Sequence, residues 1–128
     1  MARIVCFADS PAVISAVRQE LSGREHDFHF MAASQLTGEL RRAVQRLAPE
    51  VILMELSQAI DNPHLYFFLR SDQATRSIPI ILLSGGTWLA QQAAMLGADD
   101  YLQRPFLADQ LWRTVSAHLQ PQQVLAAA

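Results

Sequence analysis

Four side chains with chemistry to offer stand at or just beyond the ends of short apolar runs. Asp9 follows Ile4-Val5-Cys6-Phe7-Ala8, and Glu55 follows Val51-Ile52-Leu53-Met54. Ser84 closes Ile80-Ile81-Leu82-Leu83, and Arg104 comes shortly after Tyr101-Leu102. Singly, each has a bland reading. Asp9 serves as a helix cap, Ser84 as a strand-end hydroxyl and Arg104 as a solvated charge. Glu55 resists such a reading, because a carboxylate directly after four apolar residues is rarely incidental. The signal is the convergence of two carboxylates, a hydroxyl and a guanidinium, provided that the fold brings all four run ends to one edge.

The elements needed to do so are legible. Residues 3–8 read as a buried strand, and Asp9-Ser10-Pro11 supplies a cap and an early helical proline. Ile14, Val17 and Leu21 continue at helical spacing to a stop at Gly23. His26 to Met31 reads as a second strand. Residues 34–47 form the cleanest helical stripe, through Leu36, Leu40, Ala43, Val44 and Leu47, with Gly38 weakening its first turn. The run that ends in Glu55 is apolar on both faces, as a doubly covered strand must be. Asn62-Pro63 starts a helix with Leu65, Phe68 and Leu69 inward. Residues 78–84 form a fourth strand, and Thr87 caps a helix ended by Gly97. Ala98 to Leu102 is a fifth strand, and Leu107, Leu111, Val115 and Leu119 stripe a last helix. Strands alternating with helix-length connections predict a parallel five-stranded sheet with helices on both faces. The C-terminal strand ends then share one edge, where such sheets place their ligands.

The chain has 128 residues, 51% hydrophobic and 17% charged, which argues for one globular domain over 1–120 and a tail or linker start at 121–128. The apolar runs are too short to span a bilayer, and no secretion signal is visible. The single Cys6 cannot form an internal disulfide, which fits the cytoplasm. A net charge of −2 gives no basic face for nucleic acid, and no membrane role is expected. All ten basic residues are arginine, so no mechanism that needs a lysine can run here.

Three stretches carry a resemblance to the receiver domains of bacterial two-component response regulators. They are residues 49–55, residues 78–84, and Gly97-Ala98-Asp99-Asp100-Tyr101-Leu102-Gln103-Arg104-Pro105-Phe106. The likeness runs from Ile4 to Leu119. It implies a CheY-like, flavodoxin-like doubly wound (βα)5 three-layer sandwich with strand order 2-1-3-4-5. It also implies a magnesium ion held by an acidic pair and an aspartate, a phosphoryl group on that aspartate, and a hydroxyl and a lysine contacting it. The acidic pair here reads Ala8-Asp9, the phosphoacceptor position Glu55, the hydroxyl Ser84 and the lysine position Arg104. The switch aromatic matches Tyr101, and Pro105 is the cis-proline candidate. The loop after Glu55 is one residue shorter than the family's and lacks its usual proline and glycine.

These departures have physical consequences. Glu55 adds one methylene, moving its carboxylate outward by on the order of an ångström, enough to spoil in-line attack on phosphorus. Asp9 and Glu55 without an acid at position 8 would hold magnesium weakly at best. Arginine is larger and forked and favours bidentate pairing with a carboxylate. An Arg104–Glu55 or Arg104–Asp9 ion pair is therefore expected to fill the pocket. The implied function is an atypical, phosphorylation-independent receiver with no catalysis of its own and no required cofactor. It would act on protein partners such as a histidine kinase, an output domain or another signalling protein.

A phosphorylatable receiver with an unusual acceptor is the first alternative. A cobalamin-type small-molecule domain on the same fold is the second, but no His-x-x-Gly follows any strand. The turn after the first strand is not glycine-rich, which tells against nucleotide binding, and Ser84 lacks the Gly-x-Ser-x-Gly of a hydrolase. Trp88, Tyr101 and Trp112 mark a candidate interaction face of helix four, strand five and helix five, suited to a partner or a homodimer. His26 and His29 point to opposite faces and read as surface histidines. Asp99-Asp100 reads as a turn.

Overall fold

The structure, a computed structural model, describes residues 2–23, 26–32, 38–56, 61–84, 89–107 and 109–119. Of residues 61–64, 84, 89, 90 and 92 it describes the backbone alone. Five strands alternate with five helices: β1 Arg3–Phe7, α1 Pro11–Leu21, β2 Asp27–Met31, α2 Gly38–Leu47, β3 Val51–Glu55, α3 Asp61–Ser71, β4 Ile80–Ser84, α4 Leu89–Leu96, β5 Asp100–Gln103 and α5 Gln110–Ala117. The sheet is wholly parallel, in the order β2-β1-β3-β4-β5. This is the doubly wound order that the resemblance implied.

The period-two geometry of the strands divides the core into two layers. Val51 and Leu53 of β3 face the layer that Val13, Val17 and Leu21 of α1 share with Leu111, Val115 and Leu119. Ile52 and Met54 face the other, with Val44 of α2, Leu65, Tyr66 and Leu69 of α3, and Ala93 of α4. All five residues of β3 are buried, Glu55 among them. Glu55 is thus the last residue of the strand and does not lie beyond it.

Local signals set the helix ends. Ser10 caps α1 by accepting from the Val13 N–H, with Pro11 in the first turn, and Gly23 after the helix has φ +79°. Ala48 ends α2 with φ 46°, and Arg3 Nε donates to the Leu47 and Ala48 carbonyls at 2.8 and 3.1 Å.

The N-terminal edge of the sheet is tied by ion pairs. Arg3 pairs with Glu50 at 3.5 Å and Arg70 with Asp99, and His118 Nε2 is hydrogen-bonded to Asp100 at 3.1 Å. The Arg70 guanidinium also donates to the Ile78 carbonyl at 2.9 Å, and Asp99 accepts from the Ile80 N–H at 2.8 Å. Asp99 is therefore a tie between α3 and β4, and Asp100 opens β5; the pair is not a plain turn.

Three further expectations are corrected. His26 is buried, accepts from the Ala2 N–H at 3.0 Å and lies against the Trp112 ring with centroids 5.1 Å apart. Leu107 is 69% exposed and precedes the helix whose stripe it was expected to join. Tyr66, absent from the expected inner face of α3, is the largest fully buried side chain among the described residues. Among the described residues no helix is long and apolar enough to cross a membrane.

Candidate functional site

Parallel register brings the four strand ends to one rim. Phe7 is level with Met54, Glu55 with Leu83, and Ser84 with Gln103, so Asp9, Glu55, Ser84 and Arg104 all fall at the C-terminal edge. Backbone bonds fix the turns there. The Ala8 N–H donates to the Met31 carbonyl at 3.0 Å, and the Leu56 N–H to the Leu83 carbonyl at 2.8 Å.

Glu55 is the centre of the rim. Its Oε1 accepts from the Asp9 N–H at 2.9 Å and from the Ser10 N–H at 3.0 Å. These amides lead into α1, where unpaired N–H groups and the helix dipole favour an anion. The glutamate carboxylate is that anion. The extra methylene carries it across from β3 to the β1–α1 turn, and the bonds are charge-assisted, the stronger class. Its charge is also felt in the core: burial first, and Glu55 second, push the Cys6 thiol up to about 12.

The expected pairing of Arg104 with Glu55 is not present among the described residues. Arg104 instead lines a groove with α1, its Nε buried and without a hydrogen-bond partner among the described residues. Asp9, the other expected partner, is an exposed residue with an interaction of its own. The Arg104–Pro105 peptide bond is cis. For Ser84 the backbone alone is described, ending β4 at the rim.

The donor set does not suit magnesium. Ala8 offers no oxygen, and Glu55 Oε1 is turned to two amides. Among the described residues no group of three or more His, Cys, Asp or Glu could hold a metal.

The aromatic positions separate. Tyr101 is 44% exposed on β5. Trp112 is half-buried and packs against the α1–α5 core layer. Trp88 lies outside the described residues. Met95 of α4, not singled out in the sequence, is 80% exposed. Two features of the rim had no side-chain signature: the Asp9 and Ser10 amides that bind Glu55, and the groove beside Arg104. Ser10-Pro11, a helix-start signal, was the available pointer to the first.

No family model matches the chain. Over 122 residues it is 31% identical to the DNA-binding dual master transcriptional regulator RpaA of a Synechocystis species, covering 93% of this chain and 49% of that protein. The chain therefore spans about half the length of this curated relative. Among solved structures it superposes on the chemotaxis response regulator CheY4 of Vibrio cholerae with a TM-score of 0.75 at 20% identity, covering 93% of this chain and 99% of that one. It also superposes on the receiver domain of the sensor histidine kinase PA1611 of Pseudomonas aeruginosa, which holds a magnesium ion in its active-site cleft. There the TM-score is 0.75 at 21% identity, with 91% and 95% of the two chains covered.

Proposed function

We propose that this chain, a domain with the CheY-like receiver fold of response regulators, relays signals by protein–protein contact without being phosphorylated. One observation carries the reading: Glu55 Oε1 is held by the Asp9 and Ser10 amides at 2.9 and 3.0 Å. A nucleophilic carboxylate must present an oxygen in line with phosphorus, with its charge neutralised by a cation. Here the carboxylate occupies the anion-binding end of α1 itself. Arg104, where a lysine would contact a phosphoryl group, lines a groove with α1 and makes no ion pair with Glu55 among the described residues. Magnesium has at most a weak place in this scheme, and no step is assigned to it.

The partner class is a signalling protein: a histidine kinase, an output domain or another regulator. The proposed contact face is the α4–β5 side, carrying exposed Met95 and Tyr101, and it also suits a second copy of the chain.

The test is incubation with acetyl phosphate and magnesium, followed by intact-mass measurement. The mass stays unchanged on this reading, and a stable adduct of one phosphoryl group overturns it. The double variant Glu55→Asp with Arg104→Lys begins to label, because it shortens the carboxylate away from the amides and restores a point charge.

A further inference from the structure

A groove of about 510 Å³ opens between α1 and the turn that follows β5. Ala16, Gln19 and Glu20 line it from α1, and Arg104, Pro105 and Phe106 from the turn. Its size lies within the range of small-molecule sites, roughly 300–1,000 Å³.

Arg104 Nε is buried with no acceptor among the described residues. The Nε itself is shut off from solvent, but Arg104 is only half-buried and its other four donors form no bond among the described residues, so these remain for an oxygen brought into the groove. Glu55 does not supply it, being committed to the Asp9 and Ser10 amides. Glu20 lines the same groove, yet no ion pair joins it to Arg104 among the described residues. Two opposite charges that share a cleft without neutralising each other complement a ligand that carries both. The remaining lining divides the same way. Gln19 adds an amide, while Ala16, Pro105 and the half-buried ring of Phe106 are apolar.

We propose that this groove binds a small zwitterion with an apolar body, of the class of the neutral α-amino acids. The ligand carboxylate meets the Arg104 guanidinium, which matches it bidentately. The ammonium lies toward Glu20 and Gln19, and the apolar side chain lies against Pro105 and Phe106. The proposal does not depend on whether Glu55 can be phosphorylated.

The experiment is a backbone-amide NMR titration of the full chain with L-leucine as probe and acetate, n-butylamine and inorganic phosphate as comparison ligands. L-leucine is expected to give saturable shifts centred on Gln19, Glu20 and Phe106. Acetate and n-butylamine, each carrying one charge, bind at least about tenfold more weakly, in keeping with the loss of one charged contact. Arg104→Gln and Glu20→Gln each weaken L-leucine by about tenfold on the same ground. The spectrum of each variant reports its folding, and Glu20→Gln on α1 keeps the test decisive if Arg104→Gln unfolds. Absence of saturation overturns the proposal. So does equal binding of acetate or phosphate, which would make the groove a bare anion site. Saturable binding that neither variant alters would place the ligand elsewhere and overturns it too.

Discussion

Glu55 Oε1 stands 2.9 Å from the backbone nitrogen of Asp9, so the side chain that ends β3 closes the turn that leaves β1. The bond spans 46 positions of sequence and joins two neighbouring strands at the rim where the fold places its chemistry.

This bond has a stability consequence. Glu55→Ala leaves the Asp9 and Ser10 N–H groups without their acceptor, at a cost of about 1–3 kcal/mol. Glu55→Gln keeps an acceptor oxygen and loses only the charge, so it costs less. Urea denaturation of the three proteins checks the order wild type, Gln, Ala. An Ala variant as stable as the wild type contradicts the role given to the bond.

Acid should weaken the tie between α3, β4 and β5. Partial burial pushes the Asp99 carboxyl up, but the Ile80 N–H and then Arg70 outweigh it and hold the group below the ordinary carboxylate range. A carboxyl depressed in the folded state contributes stability that is present above its unfolded pKa, about 4. That contribution is lost as pH falls through the lower folded value. Asp99→Asn should therefore be less stable than wild type at pH 7, and the gap should narrow below about pH 4. Thermal melts across that range read it directly.

Cys6 should be silent in the native protein. Its thiol is pushed up to about 12 by burial and by the Glu55 charge, and the thiolate is the reactive form. Maleimide at pH 8 should label only molecules that have opened, so the labelling rate follows unfolding. The sign at high pH is opposite to that of Asp99. Above the ordinary thiol value of 9.0 the unfolded chain releases a proton that the folded chain keeps, so stability falls as pH rises toward 12. Cys6→Ser removes the thiol's part of this slope.

Ala48 holds a left-handed backbone at φ 46°, a region that glycine enters without cost. Ala48→Gly should stabilise the protein by about 1 kcal/mol, or roughly 4 °C in Tm. A loss of stability in differential scanning calorimetry would contradict this.

Much of the architecture was legible because the strands are covered on both sides. Val51-Ile52-Leu53-Met54 and Ile80-Ile81-Leu82-Leu83 could only be buried, and the gaps between such runs were helix-sized. The rim positions of Asp9, Glu55, Ser84 and Arg104 followed from parallel topology alone. Their partners did not follow. Glu55 bonds to backbone amides, which have no residue type, so a sequence pointed to Arg104 where the structure gives Asp9 and Ser10. Asp99 binds Arg70 from 29 positions away, a distance that no local pattern encodes. His26 looked exposed because histidine is equally at home outside, and only the Ala2 amide and the Trp112 ring explain its burial. Leu107 fitted a helical period, but the helix begins at Gln110.

Among the described residues, two ion pairs and a histidine–aspartate hydrogen bond tie the N-terminal edge of the sheet. Arg3–Glu50, Arg70–Asp99 and His118–Asp100 anchor the strand beginnings to each other and to the ends of α3 and α5. At the opposite rim, among the described residues, a side-chain tie is made by one carboxylate on two amides. A partner or ligand that engages the rim near Glu55 meets a fastening that joins β3 to the β1–α1 turn.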